Sequence, residues 1–520
     1  MPLLSLVTLL PIALGLLVAA APKSASKVMA LGASVLVFFA SVPLWFGYKL
    51  PEAGQPAPDV YQFVEDVVCL PQWGVHYHLG IDGVSLLLIL LTTILTPLIL
   101  LAGFSGVEKD YRGYAALMLV LEGAMIGTFV ALDTFVFYVF WELVLLPMYF
   151  LIGIWGGERR IYAAVKLFIY TVAGSLFMLV ALIGLYAAYH QQYGAWSTDL
   201  ADLLTVTLTP ATQKWMFACL ALAFAIKVPM FPLHTWLPDA HVEAPTGGSV
   251  VLAGVMLKMG TYGFYRFAMP LFPDAVTAYG PFLIGLAVVG IVYGALVALV
   301  QDDVKKLVAY SSVSHLGYVM LGLFALNAPG VSGGIYQMLN HGVSTGALFF
   351  LVGVLYERRH TRKIADYGGL TKVVPKFALI FMIITFSSIG LPGLNGFVGE
   401  FMILLGGFQF ARFPTIIAAS GVIFGAAYML WCFQRMMFGP LQNAANKDLK
   451  DVNGRELAYL MPLVILAFVM GLFPQTFLSR IEPSVNEFVA RMEEHFDGSP
   501  YCPCNCHDSC PPEMAARGGE

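Results

Sequence analysis

The chain has 520 residues, 59% of them hydrophobic and only 12% charged, with a mean hydropathy of +0.78. A soluble domain carries roughly twice that charge, so the composition excludes a water-solvated globule and points to a lipid bilayer as solvent. The net charge of -4 is small and says nothing about nucleic acid, and no basic run resembles a nucleic-acid-binding face, so no nucleic-acid partner is expected.

A helix needs roughly 20 mostly apolar residues to cross a bilayer. Candidate crossings fall near residues 2–21, 28–47, 84–104, 113–131, 133–152, 162–188, 214–237, 247–269, 280–301, 304–325, 331–356, 374–410, 413–434 and 457–477. The first has no basic residue before Lys23, where a secretory signal would open with one, and reads as a retained helix. Two crossings are interrupted. Pro229 and Pro232 break the segment 214–237; Pro392, Gly393, Asn395 and Gly396 break 374–410, which is also too long for one span.

Lys and Arg crowd into alternate loops, among them Lys23, Lys27, Arg159, Arg160, Lys305, Lys306, Arg358, Arg359, Arg362 and Lys363. The intervening loops are sparse in both. The positive-inside rule then puts both termini outside and demands an even number of crossings. The expected fold is an all-α integral membrane protein of about fourteen transmembrane helices. The two breaks lie five crossings apart, an odd offset that turns the second copy upside down, as in transporters built from inverted repeats. That divides the chain into helices 1–3 (residues 1–112), a first five-helix repeat (113–269), a second, inverted repeat (280–437), a final helix (457–480) and an outer Cys-rich tail (481–520).

Within these crossings lie Glu122, Glu142, Lys227, Lys258, His315, His341 and Glu400. A charge at a helix centre costs roughly 2.5–3.5 kcal/mol on insertion scales, so such a set needs mutual partners or water. For any one member a structural hydrogen bond suffices as an explanation. Acids, bases and imidazoles together share one ability, the exchange of protons. Lys166, near the end of its span, reads as a snorkelling side chain. His234, Asp239, His241 and Glu243, in HTWLPDAHVEAP, match no zinc spacing; Pro238 and Pro245 mark that stretch as a loop near the inner surface. Of seven cysteines, Cys502, Cys504, Cys506 and Cys510 crowd into a tail that reads as disordered, and the other three have no metal-ligand spacing. Walker, GxGxxG, CxxCH and nucleophile-elbow motifs are absent, so no cofactor or metal is assigned to this chain.

Five stretches carry a family resemblance: FYVFWELVLLPMYFLIGIWGG, AIKVPMFPLHTWLPDAHVEAPTGGSVVLAGVMLKMGTYGFYRF, LVAYSSVSHLGYV, NHGVSTGALFFLVGVLYERRHTR and GLPGLNGFVGEFMIL. Together they resemble the antiporter-like M subunits of proton-pumping NADH:quinone oxidoreductase, respiratory complex I. The resemblance runs from about residue 80 to residue 475. It implies fourteen helices with two inverted five-helix repeats, and a proton relay as the catalytic element. In that relay Glu142 resembles the fifth-helix glutamate, Lys227 the lysine of the broken seventh helix and Lys258 the central eighth-helix lysine. His315 and His341 resemble the histidines of the hydrated axis, and Glu400 the acid of the broken twelfth helix, where the sister subunits L and N carry lysine. It further implies L and N subunits on either side, a bacterial inner membrane, and NADH, FMN, iron–sulfur clusters and quinone held by partner subunits. A subunit of a multi-subunit sodium/proton antiporter or of a membrane-bound hydrogenase is the alternative. The tail YCPCNCHDSC departs from the family pattern.

Overall fold

The computed structural model describes residues 2–51 and 59–495. The helices are α1 (Leu3–Ala20), α2 (Ser26–Gly47), α3 (Gly83–Gly106), α4 (Tyr111–Val130), α5 (Thr134–Leu143), α6 (Leu145–Trp155), α7 (Arg160–Tyr193), the single turn α8 (Leu200–Leu203), α9 (Pro210–Lys227), α10 (Trp236–Glu243), α11 (Thr246–Val251), α12 (Leu257–Gly263), α13 (Met269–Leu271), α14 (Pro273–Leu299), α15 (Val304–Leu323), α16 (Ala328–Arg359), α17 (Pro375–Ser388), α18 (Asn395–Phe410), α19 (Arg412–Met437), α20 (Gly454–Leu472) and α21 (Gln475–His495). Ten of these crossings, with α5 and α6 taken as one, are long and apolar enough to span a membrane. The four other expected crossings are made by α9–α10, α11–α13, α15 and α17–α18.

Local chemistry explains where the helices begin and bend. Asp82, Asp133 and Asp303 cap α3, α5 and α15, each accepting from backbone amides of the first turn. Pro147 has no amide hydrogen for the carbonyl one turn back, and the fifth crossing is interrupted at Val144. α9 stops at Lys227, ahead of Pro229 and Pro232, and the indole of Trp236 donates to the freed Ile226 carbonyl at 2.9 Å. Between α17 and α18 the chain turns through Gly390 (φ 75°) and Gly393 (φ 93°), backbone conformations that favour glycine.

α16 is buried along its whole apolar window and is the central post, packed by α3, α11, α15, α17, α18, α20 and α21. α1, α2, α7 and α19 stand on the periphery, where Leu16, Phe46, Ile169 and Ile423 face outward.

Three features depart from the sequence reading. Between α2 and α3, where no element was anticipated, strands β1 (Gln62–Leu70) and β2 (Val75–Ile81) form an antiparallel hairpin. The last crossing ends at Leu472, not 480, because Pro474 follows. Residues 475–495, which take in the end of the expected final helix and the start of the expected tail, instead form α21, which buries Leu478, Ile481, Val485, Phe488 and Met492 at three- and four-residue spacing against α3, α13 and α16. The remaining tail with its four cysteines lies outside the described residues.

Candidate proton-transfer site

The interruptions deliver ionisable side chains to the interior. Lys227 occupies the last turn of α9, where the negative end of the helix dipole favours a cation. It is 2% exposed, and its ammonium lies 5.3 Å from the Trp141 ring. Glu142, next to that tryptophan at the α5–α6 interruption, is near enough for its charge to act on Lys227. Its Oε1 is buried with no hydrogen-bond partner among the described residues. Glu142 and Lys227 thus face one another electrostatically without a direct ion pair.

A second group is joined by contact. A π-helical turn, Leu252–Met256, precedes Lys258. Such turns recur at functional positions because the widened ring loosens the backbone ladder. The Lys258 ammonium, 0% exposed, donates to the Ala253 carbonyl inside that turn and lies 2.6 Å from His341 Nδ1 on α16. The His341 and His315 rings stand 5.8 Å apart, centroid to centroid. His315 Nδ1, on α15, is 3.1 Å from Glu400 Oε1 on α18. The Glu400 carboxylate also accepts from Gln337 Nε2 at 3.1 Å, and Asn340 donates to Gln337 Oε1 at 2.9 Å. Gln337, Asn340 and His341 share one face of α16, as their three- and four-residue spacing requires.

The break near Asn395 is satisfied otherwise: Ser387 Oγ donates to Asn395 Oδ1 at 2.5 Å, and Asn395 Nδ2 to the Asn340 carbonyl at 3.3 Å. Glu400 is therefore not the group that holds the break closed. Its carboxylate does rest against Gly390, where a β-carbon would come within 2.9 Å of Oε2.

Six sequence-derived residues thus form a pair, Glu142 and Lys227, and a row, Lys258–His341–His315–Glu400. No direct bond joins Lys227 to Lys258 among the described residues, although their helices meet closely: a β-carbon on Gly260 would lie 2.8 Å from the Phe224 carbonyl. Glu122 stands apart, fully buried in α4 beside Thr96.

The same architecture has close counterparts. The family described as NADH:quinone oxidoreductase/Mrp antiporter, TM, matches residues 131–426. NADH-quinone oxidoreductase subunit M of Rhodobacter capsulatus is 46% identical, covering 94% of this chain and 96% of its own. The chain belongs to the subunit M family of NADH:quinone oxidoreductase. Another relative is NADH-ubiquinone oxidoreductase chain 4 of Arabidopsis thaliana, 42% identical over 90% of this chain and 92% of its own. Among solved structures, respiratory complex I from Thermus thermophilus with bound NADH contains a chain 34% identical to this one, with a TM-score of 0.85 over 94% of this chain and 99% of that one. A chain of the Mrp complex from a Dietzia species shares the fold at 23% identity, with a TM-score of 0.79 over 98% of this chain and 54% of that one.

As a member of this family the chain is a multi-pass membrane subunit of a larger complex. Two parts of the sequence reading need correction. The stretch holding His234, Asp239, His241 and Glu243 is a loop only in part: His234 lies in a turn, whereas residues 236–243 form the helix α10, with Pro238 in its first turn, where a missing amide costs nothing. Lys166 does not snorkel freely but pairs with Asp239 at 2.7 Å.

Sequence reasoning also missed three groups in the interior. His241 is fully buried and stacked on Phe349 at 4.5 Å; among the described residues neither ring nitrogen has a partner, and it lies within the field of Lys258 and Lys305. Lys305 donates to the Ala244 carbonyl at 2.6 Å, just past the C-terminus of α10. Arg266, on a second π-helical turn, pairs with buried Asp82 at 2.5 Å. The helix that carries His241 is short and bounded by prolines that also signal a loop, which hid it.

Proposed function

We propose that this chain moves protons through the membrane as a subunit of NADH:quinone oxidoreductase, with Glu142, Lys227, Lys258, His341, His315 and Glu400 as its relay. The observation that carries this is the buried row from Lys258 to Glu400, held in register by three different helices around α16. An ammonium can donate to the Nδ1 of a neutral imidazole, and the imidazole can pass a proton on from its other nitrogen. Nε2 of both His341 and His315 is buried without a protein partner, and one water between the rings would link them.

Glu142 acts on this row at a distance. Its carboxylate stabilises the Lys227 ammonium, and weakening that attraction releases a proton toward Lys258. In this reading helices 4–8 and 9–13 are the two inverted repeats, over residues 113–269 and 280–437. The hairpin and both termini face the outside of a bacterial inner membrane, and the flanking subunits are L and N. NADH, FMN, iron–sulfur clusters and quinone reside in partner subunits, whose redox work this chain couples to proton movement.

Glu400→Gln and Glu400→Lys test the reading in the assembled complex. Gln preserves shape and removes titration, whereas Lys restores an exchangeable proton at the same place. The relay requires Gln to abolish NADH-driven pumping and Lys to keep part of it. A mild Gln effect with a damaging Lys overturns the assignment. Glu142→Gln should likewise abolish pumping at normal complex content.

A further inference from the structure

The C-terminal end of α10 is finished by groups from other parts of the chain. A helix leaves its last carbonyls without amide partners, and Pro245, which follows Ala244, has no amide to offer. Ser249 Oγ donates to the His241 carbonyl at 3.0 Å, and the Gly157 amide donates to that of Glu243 at 2.8 Å. The remaining two are met by cations from much further along the chain. Lys305 Nζ donates to the Ala244 carbonyl at 2.6 Å and reaches that of Val242 at 3.5 Å, and Arg362 Nη1 also donates to Val242.

Those two cations form one unit with the start of α15. Asp303, the cap of α15, accepts from the Lys305 amide at 2.7 Å and pairs with Arg362 at 3.2 Å. The Val304 amide donates to the Arg362 carbonyl at 3.0 Å. Lys305 is buried, and among the described residues its ammonium has no carboxylate at ion-pair distance. Its charge rests instead on the negative end of the α10 dipole.

The other end of α10 is tied to the Glu142–Lys227 pair. The indole of Trp236, the first residue of α10, donates to the carbonyl of Ile226, the neighbour of Lys227. Eight residues, about 12 Å of helix, therefore separate the turn that carries Lys227 from the turn that opens α15, on which His315 lies. So short a helix moves as a rigid piece, and a shift at one end is passed to the other. α10 thus spans a gap that no direct bond between Lys227 and Lys258 closes.

We infer that Lys305 and Arg362 are positioning residues, a clamp that fixes α10 to the start of α15 and carries the state of the Glu142–Lys227 pair to the His315 end of the row. The inference rests on the relay reading of those groups. Neither cation passes a proton on: what the clamp requires of them is a fixed positive charge and donors for the α10 carbonyls.

The test uses the assembled complex in sealed membranes and reads subunit content, NADH:quinone turnover and protons moved per NADH together. Lys305→Met keeps the length of the side chain and removes its donors. Protons moved per NADH should fall roughly tenfold at retained content, within the range for residues along a coupling path. Lys305→Arg keeps charge and donors but does not release a proton, and should restore most of the loss. Arg362→Gln leaves one donor for Val242; it should act in the same direction more mildly, and replaces Lys305→Met if that variant does not accumulate. Added to Lys227→Arg, which already silences the pair, Lys305→Met should lower pumping no further.

An Arg variant as impaired as Met would make Lys305 a proton carrier and overturn the inference. So would falling content with protons per NADH unchanged, which would make both residues structural ties, or a full additive loss in the double variant. Glu142→Gln measured alongside separates the two ways to fail. If it pumps normally, the relay reading falls and takes the clamp with it. If it does not pump while Lys305→Met is unaffected, the clamp alone is wrong.

Discussion

Lys258 Nζ and His341 Nδ1 lie 2.6 Å apart in an interior that shields both from solvent. At that distance two cations would repel strongly, so the two groups do not both carry a charge. His341→Gln keeps an acceptor for the ammonium but removes the second proton site. Proton pumping should fall by roughly a hundredfold, the scale of a lost acid–base group, at normal complex content. Full pumping by the glutamine variant would reduce His341 to a structural acceptor.

Lys227 makes the complementary case, because its surroundings suit any cation: a helix C-terminus, the Trp141 ring and the field of Glu142. Arg satisfies all three but does not release its proton. Lys227→Arg should therefore assemble normally and pump poorly, and Lys227→Ala should be worse. Arg at full turnover would make the residue an electrostatic anchor.

Arg266 bears on stability rather than transfer. Its guanidinium pairs with Asp82 and donates to the hydroxyls of Tyr61 at 2.8 Å and Tyr262 at 3.1 Å, tying the hairpin to α3 and to the turn before α13. Arg266→Ala strands the buried Asp82 carboxylate, a loss of roughly 3–5 kcal/mol. Subunit content in membranes should drop sharply, and Arg266→Ala combined with Asp82→Asn should recover part of it. Unchanged content in the single variant would contradict the pair's role.

On the hairpin, His78 hydrogen-bonds Asp199, and this bond outweighs burial to hold the imidazole above its usual range. A group whose pKa is raised by folding stabilises fully below its unfolded value, near 6.5, and that support disappears as pH climbs through the higher folded value. Hydrogen exchange of the 75–81 strand, corrected for intrinsic rate, should thus rise as pH moves from 6 toward 9. Asp199→Asn should flatten that dependence; a wild-type profile that is already flat would refute it.

Hydropathy and proline chemistry act over a few residues, and what depends on them was readable in the chain. The crossings, the breaks at Pro229 and at Pro392–Gly396, and the ionisable residues inside spans all follow from such short windows. Glu142, Lys227, Lys258 and Glu400 could be named because a charge inside an apolar run is conspicuous by itself. His241 could not, since its helix α10 is short and bounded by prolines that also signal a loop.

Which way those side chains turn was decided only by tertiary structure. In a bilayer the lipid-facing and core-facing sides of a helix are both apolar, so periodicity carries little information about direction. Nothing in LVAYSSVSHLGYV or NHGVSTGALFF says that His315 and His341 stand 5.8 Å apart, or that Lys258 reaches His341 while Lys227 does not reach Lys258. Those relations arise where α12, α15 and α18 close around α16, from contacts between residues up to 85 positions apart. The hairpin and α21 belong to the same class: each has an apolar side too short or too broken to read as a crossing, and each gains its place by burying that side against helix ends formed elsewhere in the chain.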